Sequence, residues 1–340
     1  LFWFTTCGWM MWNWLVSGLA SGATIVLYDG SPGHPDLGTL WRMAERTGIT
    51  HFGTSPKFLA ACSKSELVPR NMADLSNLRS LLSTGSPLVS EQFDWVYDNV
   101  HSDIQVASIS GGTDIIGCFL AGSPILPVHR GELQCAQLGM DVQSWDSDGK
   151  SIFGQSGELV CTRPFPSMPI GFWNDEDGSK YQEAYFDDFE KVWTHGDYVE
   201  MTANGGAIIY GRSDTTLNPG GVRIGTAEIY RAVENMEAIV DAVVVGRPNE
   251  GDVDVVLCVK LTEGTDFDEK IESDIRGLIR SATTPRHVPK YIFEVDDIPY
   301  TISGKKVEKA VLATITGRKV DNKDALANPE SLKQYSTLSF

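Results

Sequence analysis

The chain has 340 residues, enough for two domains with a substantial hydrophobic core. Hydrophobic residues make up 42% and charged residues 21%, which favours a globular protein over a disordered one. The formal net charge is -17 and no basic stripe stands out, which argues against nucleic acid as a partner. An acidic chain that binds anions must concentrate its cations locally, so Arg212, Arg223, Arg280 and Lys305 are candidates for anion contacts.

The six cysteines are widely spaced, with no CxxC pair and no histidine in the register of a metal site. This spacing predicts free, mostly buried thiols in a reducing compartment. The chain opens at Leu1 with no charged leader, so we expect no signal peptide, and the abrupt start suggests a piece of a longer protein. Polar residues and glycine interrupt the apolar stretch at residues 9–28, which favours a buried helix and strand over a membrane span.

The first two thirds of the chain alternate helix-like and strand-like segments. This rhythm is typical of the α/β class, with parallel strands and helices on both faces of the sheet. Between residues 131 and 210 the pattern changes to short strands and tight turns, which predicts a β-subdomain. The predicted helices are 9–21, 36–47, 56–63 and 90–99, and the predicted strands are 23–28, 49–53, 78–83 and 104–109.

After Asp214 the pattern becomes that of a compact α+β unit of roughly 100 residues, within the usual size of a domain. We therefore predict a domain boundary at Asp214, with domains at 1–214 and 215–340. The polar tail after Lys319 is expected to wrap the surface or to be partly disordered. The predicted helices here are 226–236, 268–281 and 306–312, and the predicted strands are 239–245, 253–261 and 291–295.

Thr194-His195-Gly196-Asp197 puts a carboxylate in a glycine turn at the end of a predicted strand. The two oxygens of Asp197 suit the vicinal hydroxyls of a ribose. In isolation, an aspartate in a surface turn explains the tetrad as well. Arg212 follows in a Tyr-Gly-Arg turn, and the two segments together favour the ribose interpretation.

Ser110-Gly111-Gly112-Thr113-Asp114 follows a predicted parallel strand, where ligands gather in doubly wound sheets. The two glycines let the backbone approach a ligand, Thr113 offers a hydroxyl to phosphate, and Asp114 is a candidate ligand for Mg²⁺. A glycine turn in a hairpin explains the pattern equally well. Thr84-Gly85-Ser86-Pro87 is a similar turn that can present its backbone to a purine.

Lys305 lies on a tight Ser-Gly turn about ninety residues after the glycine-rich segment at 211–225. Adenylation of a carboxylate needs positive charge where negative charge builds up, on the α-phosphate and on the leaving pyrophosphate. A lysine on a loop supplies such a charge. The alternative is that Lys305 and Lys306 both lie on the solvated surface.

Taken in order, these segments resemble the acyl-CoA synthetase, luciferase and peptide-synthetase superfamily of adenylate-forming enzymes. Within it they are most similar to acetoacetyl-CoA synthetases, which are relatives of acetyl-CoA synthetases. The resemblance extends over essentially the whole chain. The motifs that carry it are Phe4-Thr5-Thr6-Cys7-Gly8-Trp9-Met10-Met11-Trp12-Asn13, Pro164-Phe165-Pro166-Ser167-Met168-Pro169, Phe172-Trp173-Asn174-Asp175, Leu217-Asn218-Pro219-Gly220-Gly221-Val222-Arg223 and Ile298-Pro299-Tyr300-Thr301-Ile302-Ser303-Gly304-Lys305.

The resemblance implies the C-terminal part of a large adenylate-forming domain followed by a small mobile lid domain that carries the adenylation lysine, Lys305. It implies an acid–thiol ligase that uses ATP, CoA, acetoacetate and Mg²⁺ in the cytosol, with no membrane span. The same resemblance implies roles for individual positions: Thr84, Gly85, Ser86 and Pro87 on the adenine side, Thr113 at the α-phosphate, Asp114 at Mg²⁺, Asp197 and Arg212 at the ribose, Asp214 as hinge, Gly220, Gly221, Arg223 and Arg280 facing CoA, and Trp9, Met10, Met11, Thr84 and Gly111 around the acyl group.

Two departures from the superfamily pattern matter. The glycine-rich phosphate loop that ends in Pro-Lys is absent, which implies that this piece alone does not adenylate a substrate. The acidic residue after Thr113 is Asp114 in place of the usual Glu, a shortening by one methylene. Two alternatives remain open, namely a synthetase for acetate or propionate, and an inactive piece that retains nucleotide or CoA binding. A serine hydrolase is disfavoured because Gly154-Gln155-Ser156-Gly157 lacks the GxSxG spacing.

Overall fold

A computed structural model of the chain describes all residues except 216, 218, 220–223, 235, 250–251, 303 and 321–322. Its internal contacts divide the chain into two compact units, Leu1–Ile209 and Tyr210–Phe340. This division falls a few residues before Asp214, and the domain boundary at Asp214 stays a prediction. Within the described part of the chain, no helix is long and apolar enough to cross a membrane.

The centre of the first unit is a four-stranded parallel sheet in the order β1-β2-β3-β4, with helices on both faces as predicted. Its elements are β1 (Phe2–Trp3), α1 (Met10–Ser17), α2 (Thr39–Thr47), β2 (His51–Thr54), α3 (Pro56–Lys64), β3 (Ser80–Ser83), α4 (Ser90–Asn99) and β4 (Gln105–Ser108). Phe52, Leu81 and Val106 are paired across the sheet and bury their side chains against α2, α3 and α4. The next residues, among them Leu82 and Ala107, face α1 on the other side. This period of two is what a parallel sheet covered on both faces requires.

The predicted strand at residues 23–28 is wrong. Only Val26 pairs with the sheet, through a single parallel bridge to Phe2, because the neighbouring strand β1 is two residues long. The segment before it is a 3-10 helix, Gly18–Ser21, that ends at Gly22 with a φ of 78°. The apolar run is therefore extended but has almost no strand to pair with.

Two antiparallel sheets complete the first unit. The predicted β-subdomain is present, but its antiparallel strands begin at Ser110, before the predicted range of 131–210. One has the order β5-β6-β7 and the other β12-β11-β10-β8-β9, and they share a core that contains Phe119, Leu159, Trp193 and Val199. The elements are β5 (Ser110–Gly112), β6 (Gly117–Ala121), β7 (Cys135–Ala136), β8 (Val142–Trp145), β9 (Ser151–Ile152), β10 (Ser156–Cys161), α5 (Ser179–Tyr185), β11 (Trp193–Met201) and β12 (Ala207–Arg212), within which the division between the units falls.

The second unit is a three-stranded sheet in the order β13-β14-β15, with helices on both faces. Its elements are α6 (Thr226–Val233), β13 (Ile239–Asn249), β14 (Asp252–Leu261), α7 (Glu269–Ala282), β15 (Tyr291–Glu294), α8 (Glu308–Ile315) and α9 (Leu332–Tyr335). Val244 and Leu257 lie in the core with α6 and α7. Val243 and Val256 lie in the core on the other face, with α8 and α9. The α+β character predicted after Asp214 is confirmed.

In the tail after Lys319, the described residues include buried side chains that anchor the tail to the second unit. Leu332 and Tyr335 are 5% and 1% exposed and belong to the same core cluster as Val256. The Tyr335 hydroxyl also donates a hydrogen bond of 3.1 Å to the carbonyl of Asp297. A few apolar side chains in a polar sequence are enough to anchor this segment against the sheet.

Tyr335→Ala should therefore lower the free energy of unfolding by about 3–5 kcal/mol, because the buried ring leaves a cavity. Tyr335→Phe should cost only about 1 kcal/mol, since it removes one hydrogen bond and keeps the ring. Chemical denaturation followed by circular dichroism measures both variants. Equal and small losses would contradict the packed tail.

Candidate active site

The parallel strands β2, β3 and β4 end in one row, Thr54, Ser83 and Ser108, which are paired across the sheet. The segments that leave this row stay joined. The Thr84 amide donates to the Thr54 carbonyl at 3.3 Å, and the Ile109 amide donates to the Ser83 carbonyl at 2.8 Å. The Thr84 hydroxyl then donates to the Ile109 carbonyl at 2.7 Å. Two of the predicted site segments thus begin side by side at the carboxyl edge of the sheet.

Asp197 joins these segments from the antiparallel sheet. The Ser110 hydroxyl donates to its Oδ2 at 3.0 Å, although the two residues are 87 positions apart in the chain. Asp197 is only 8% exposed. A buried carboxylate held by a hydroxyl keeps its direction, and a carboxylate accepts hydrogen bonds from more than one hydroxyl.

His195 connects the same two segments through a different pair of atoms. Its Nε2 lies 3.2 Å from the carbonyl oxygen of Gly111 and 3.9 Å from Oδ2 of Asp197. The ring packs edge-on against Phe119 with the centroids 4.7 Å apart. A Cβ at Gly112 would lie 2.7 Å from Cε1 of His195, so glycine at that position makes room for the ring. The sequence pointed to the His195 tetrad but not to this contact.

Glu158 is a buried acidic residue that the sequence analysis did not single out. It lies on β10, is 8% exposed, and accepts a hydrogen bond of 2.9 Å from the amide of Gly196. Gly196 has a φ of 79°, which glycine adopts without strain. The predicted glycine turn at the end of a strand is wrong, because Gly196 and Asp197 lie within β11. The hydrogen bond from Gly196 to Glu158 on the neighbouring strand fixes the backbone that presents Asp197. An acidic residue within an apolar strand was the one available sequence signal.

Asp114 is held by a tyrosine that no motif indicated. The Tyr185 hydroxyl donates a short hydrogen bond to Oδ2 of Asp114. The Tyr185 ring stacks on Trp193, with the centroids 3.7 Å apart and the planes at 15°. The stacked pair fixes the phenol at the end of α5, and the phenol in turn orients the carboxylate that the sequence analysis assigned to Mg²⁺.

The residues around Asp114 fit a magnesium ion that arrives with its substrate. Such an ion takes one or two protein carboxylates, keeps several waters, and binds substrate phosphates. Asp114 and Thr113 are exposed and consecutive, so a carboxylate and a hydroxyl face solvent together. Among the described residues, no group of three or more His, Cys, Asp or Glu side chains could hold a metal ion by itself.

The residues assigned to the acyl group lie in and beside one cluster. Met11 is buried, while Trp9 and Met10 are half-buried against it. A Cβ at Gly85, whose φ is 105°, would lie 3.8 Å from Cζ2 of Trp9, so the Trp9 ring reaches the turn after β3. In that turn Ser86 is exposed and Pro87 is half-buried.

Gly111 has a reason for being glycine that is unrelated to acyl size. A Cβ there would lie 2.2 Å from the carbonyl oxygen of Gly117 and 2.5 Å from Cα of Cys118, both in its own hairpin. Any side chain would therefore meet backbone, and the absence of one does not by itself create pocket space. The acyl-pocket role of Gly111 stays a prediction.

The remaining predicted residues belong to the second unit or lie outside the described residues. Arg212 is exposed at the end of β12, and Asp214 lies in the 3-10 helix Ser213–Thr215. Arg280 is exposed in the last turn of α7, where a cation also favours the helix dipole. Lys305 is exposed at the end of a tight turn. The residues that lie outside the described part of the chain are Gly220, Gly221 and Arg223.

The chain matches two known protein families in this arrangement. Residues 1–170 match the AMP-binding enzymes, and residues 228–305 match the AMP-binding enzyme C-terminal domain. The chain belongs to the AMP-binding enzyme family, and its fold is that of the adenylate-forming enzymes.

The relatives are similar over nearly the whole chain. The acetoacetyl-coenzyme A synthetase of Rhizobium meliloti (strain 1021) is 55% identical over 338 residues, which are 99% of this chain and 52% of that protein. The acetoacetyl-CoA synthetase of Danio rerio is 48% identical over 340 residues, 99% of this chain and 50% of that protein. The chain spans about half the length of the curated relatives it matches.

Solved structures agree with the fold. The acetoacetyl-CoA synthetase from Streptomyces lividans has a TM-score of 0.91 and 46% identity, over 99% of this chain and 52% of that chain. The anthranilate CoA ligase AuaEII, solved with anthranoyl-AMP, has a TM-score of 0.68 at 21% identity, over 84% of this chain and 53% of that chain. The second likeness shows a shared fold alone.

The packing of His195 against Gly112 can be tested with a pair of glycine substitutions. Gly112→Ala should lower the free energy of unfolding by about 1–3 kcal/mol, because the new methyl group displaces the ring. Gly277→Ala, on α7, meets no atom within 4 Å and removes a glycine from a helix interior, so it should raise stability by about 0.5–1 kcal/mol. Chemical denaturation curves of both variants give their free energies of unfolding. If both substitutions change the free energy of unfolding in the same direction, the contact between His195 and Gly112 is contradicted.

Proposed function

We propose that this chain is the nucleotide- and thiol-handling part of an ATP-dependent acid–thiol ligase that converts acetoacetate to acetoacetyl-CoA, AMP and pyrophosphate. In the first half-reaction the acetoacetate carboxylate attacks the α-phosphorus of ATP, and pyrophosphate leaves. In the second half-reaction the thiol of CoA attacks the acyl carbon, and AMP leaves. The similarity to acetoacetyl-CoA synthetases over 99% of the chain supports this substrate.

The observation that carries the proposal is the Ser110–Asp197 hydrogen bond at the carboxyl edge of the parallel sheet. It joins Ser110, the first residue of β5, to the carboxylate proposed for the ribose. In this arrangement Asp197 accepts from the ribose hydroxyls, and the turn at residues 84–87 lines the adenine. Thr113 donates to the α-phosphate oxygens.

Lys305 supplies positive charge to the first half-reaction in this proposal. The attacking carboxylate is already ionised, so the step needs no base, but negative charge accumulates on the α-phosphate and the pyrophosphate. A point charge at that position stabilises the transition state more than the ground state. Mg²⁺ held by Asp114 would neutralise further phosphate charge. In the second half-reaction the lid turns about Asp214, and Gly220, Gly221, Arg223 and Arg280 face CoA.

We propose a cytosolic location for the enzyme. All six cysteines are free thiols, which supports a reducing compartment. Burial raises the pKa of Cys62 and of Cys118 to about 11, so both are protonated and inert at neutral pH.

Pyrophosphate release from the protein at its full natural length tests the reaction and the acid together. With ATP, Mg²⁺ and CoA present, the rate of pyrophosphate release should be at least about 10-fold higher with acetoacetate than with acetate or propionate. This ratio corresponds to a difference of about 1.4 kcal/mol in transition-state binding. Equal rates for acetate would assign the enzyme to another short acid. Release that does not depend on any acid would reject the ligase reaction.

Asp197 can be tested on the 340-residue chain by calorimetric titration with AMP and with 2′,3′-dideoxy-AMP. Asp197→Asn should weaken AMP binding by about 10-fold or more, since hydrogen bonds to a charged group contribute about 1.5–3 kcal/mol. The variant should also bind the two nucleotides alike, whereas the unchanged chain prefers AMP. Asp146→Asn is the control, because Asp146 accepts hydrogen bonds only within its own turn among the contacts seen. If the Asp197→Asn variant still binds AMP more tightly than 2′,3′-dideoxy-AMP, Asp197 does not bind the ribose.

A further inference from the structure

Two consecutive lysines in the second unit lie in opposite environments. Lys305 is exposed, whereas only 17% of the Lys306 side chain is exposed. The Lys306 ammonium contacts Glu234 Oε1 at 2.7 Å and Asp241 Oδ1 at 3.0 Å. It also lies 4.1 Å above the centre of the Tyr230 ring. A lysine that only contributes to surface solubility does not need contacts to two carboxylates and an aromatic ring, so these contacts indicate that the Lys306 side chain is held in place.

These contacts continue into a network of side chains from different elements. Tyr300 donates a short hydrogen bond to Asp241 Oδ2, and the amide of Ala242 donates to Oδ1 of the same carboxylate at 2.8 Å. The Tyr230 hydroxyl donates to Glu308 at 2.9 Å on α8. The set of side chains around the ammonium is called the Lys306 cluster, and it consists of Lys306, Glu234, Asp241, Tyr230 and Tyr300.

The Lys306 cluster closes the base of the turn that carries Lys305. Tyr300 and Lys306 pair through an antiparallel bridge, so they stand on the two sides of the turn. Both side chains end on the same carboxylate, that of Asp241 on β13. The turn is thereby fastened to the sheet at its two ends through one group.

Backbone hydrogen bonds transmit this attachment to Lys305. The Thr301 amide donates to the Lys305 carbonyl at 2.8 Å, and the Lys305 amide donates to the Thr301 hydroxyl at 3.0 Å. The Gly304 amide donates to the Thr301 carbonyl at 2.8 Å, and Gly304 has a φ of 82°. The backbone direction at Lys305 therefore depends on where Lys306 is held.

We propose that Lys306 is the positioning residue for Lys305: its ammonium, clamped between Glu234 and Asp241, sets the direction from which Lys305 reaches the reacting phosphate. Lys306 itself touches no substrate. This inference rests on the proposed function only for the role of Lys305, since the attachment of the turn is independent of it. Catalysis by a positioned charge is sensitive to small displacements, and a shift of about 1 Å can cost about 100-fold in rate.

The first test compares the two half-reactions in the protein at its full natural length. Lys306→Met should slow acetoacetyl-AMP formation by about 10- to 100-fold, as loosened positioning predicts. Conversion of supplied acetoacetyl-AMP and CoA should stay within about 3-fold of the unchanged protein, because that step does not use Lys305. Lys306→Arg, which keeps the cation, should recover part of the loss. A merely structural role would lower both half-reactions in proportion.

Matched variants separate positioning from loss of charge or of fold. Lys319→Met removes an exposed lysine outside the Lys306 cluster and should leave both half-reactions unchanged. Lys305→Ala gives the reference for complete loss of the adenylation charge. The double variant Lys306→Met with Glu234→Gln removes one carboxylate along with the ammonium, which relieves the charge imbalance. It should fold where the single variant does not, and it should still show the selective defect.

The second test uses the 340-residue chain and needs no activity. Amide hydrogen exchange at Thr301, Gly304 and Lys305 reports whether the turn is fastened. Lys306→Met should speed exchange at these amides by about 10-fold or more, and Lys319→Met should not change it. Unchanged exchange in Lys306→Met, or equal loss of both half-reactions, would overturn the inference. If the unchanged protein forms no acetoacetyl-AMP while the exchange result holds, the proposed function fails and the attachment of the turn stands.

Discussion

The parallel register of β2, β3 and β4 is the constraint on which the candidate site depends. Phe52, Leu81 and Val106 must all face the same core, and a slip of one residue would turn each of them to the opposite face. Because that register is fixed by apolar packing, the three strands end together, and the turns that follow Ser83 and Ser108 start at one edge. The apolar packing of the sheet therefore determines where the polar residues of the site lie relative to one another.

Local patterns in the sequence were sufficient for most of the elements. Alternating helix and strand segments predicted a covered parallel sheet, and the turn predicted at Thr84 follows β3. The turns predicted at Ser110 and Asp197 are instead parts of the strands β5 and β11. The contacts between these segments could not be predicted. His195 reaches the Gly111 carbonyl across 84 positions, and only the packing of the two antiparallel sheets against each other brings these residues together.

The errors have one physical origin, which is that pairing and burial are decided by distant parts of the chain. Residues 23–28 have the composition of a strand but meet a partner strand of only two residues. The tail is polar on average, yet Tyr335 finds a buried place beside β14. Nothing in the sequence around Tyr185 marks it as part of the site. Its role depends on Trp193, which stacks on its ring and directs the phenol toward Asp114. In each case the deciding partner comes from a distant part of the chain, and the local pattern carries no information about that partner.

Lys305 and Lys306 place the same residue type in two opposite environments. An exposed lysine can act as a point charge at a variable distance, while an enclosed one needs counter-charges to remain ionised. Burial works to lower the pKa of Lys306, but Glu234 and Asp241 raise it above the ordinary lysine value of 10.5. Burial likewise works to raise the pKa of Asp241, and Lys306 together with Tyr300 lowers it below 3.8.

The signs of these two shifts determine when the contact stabilises the fold. The raised pKa of Lys306 gives a contribution that is complete below pH 10.5 and is lost as the pH rises through the folded-state pKa. The lowered pKa of Asp241 gives a contribution that is complete above pH 3.8 and is lost as the pH falls through the folded-state pKa. Both groups therefore keep their charges across the neutral range. In the proposed arrangement, Lys306 therefore fastens the turn throughout this pH range, and the neighbouring Lys305 supplies the charge that reaches the phosphate.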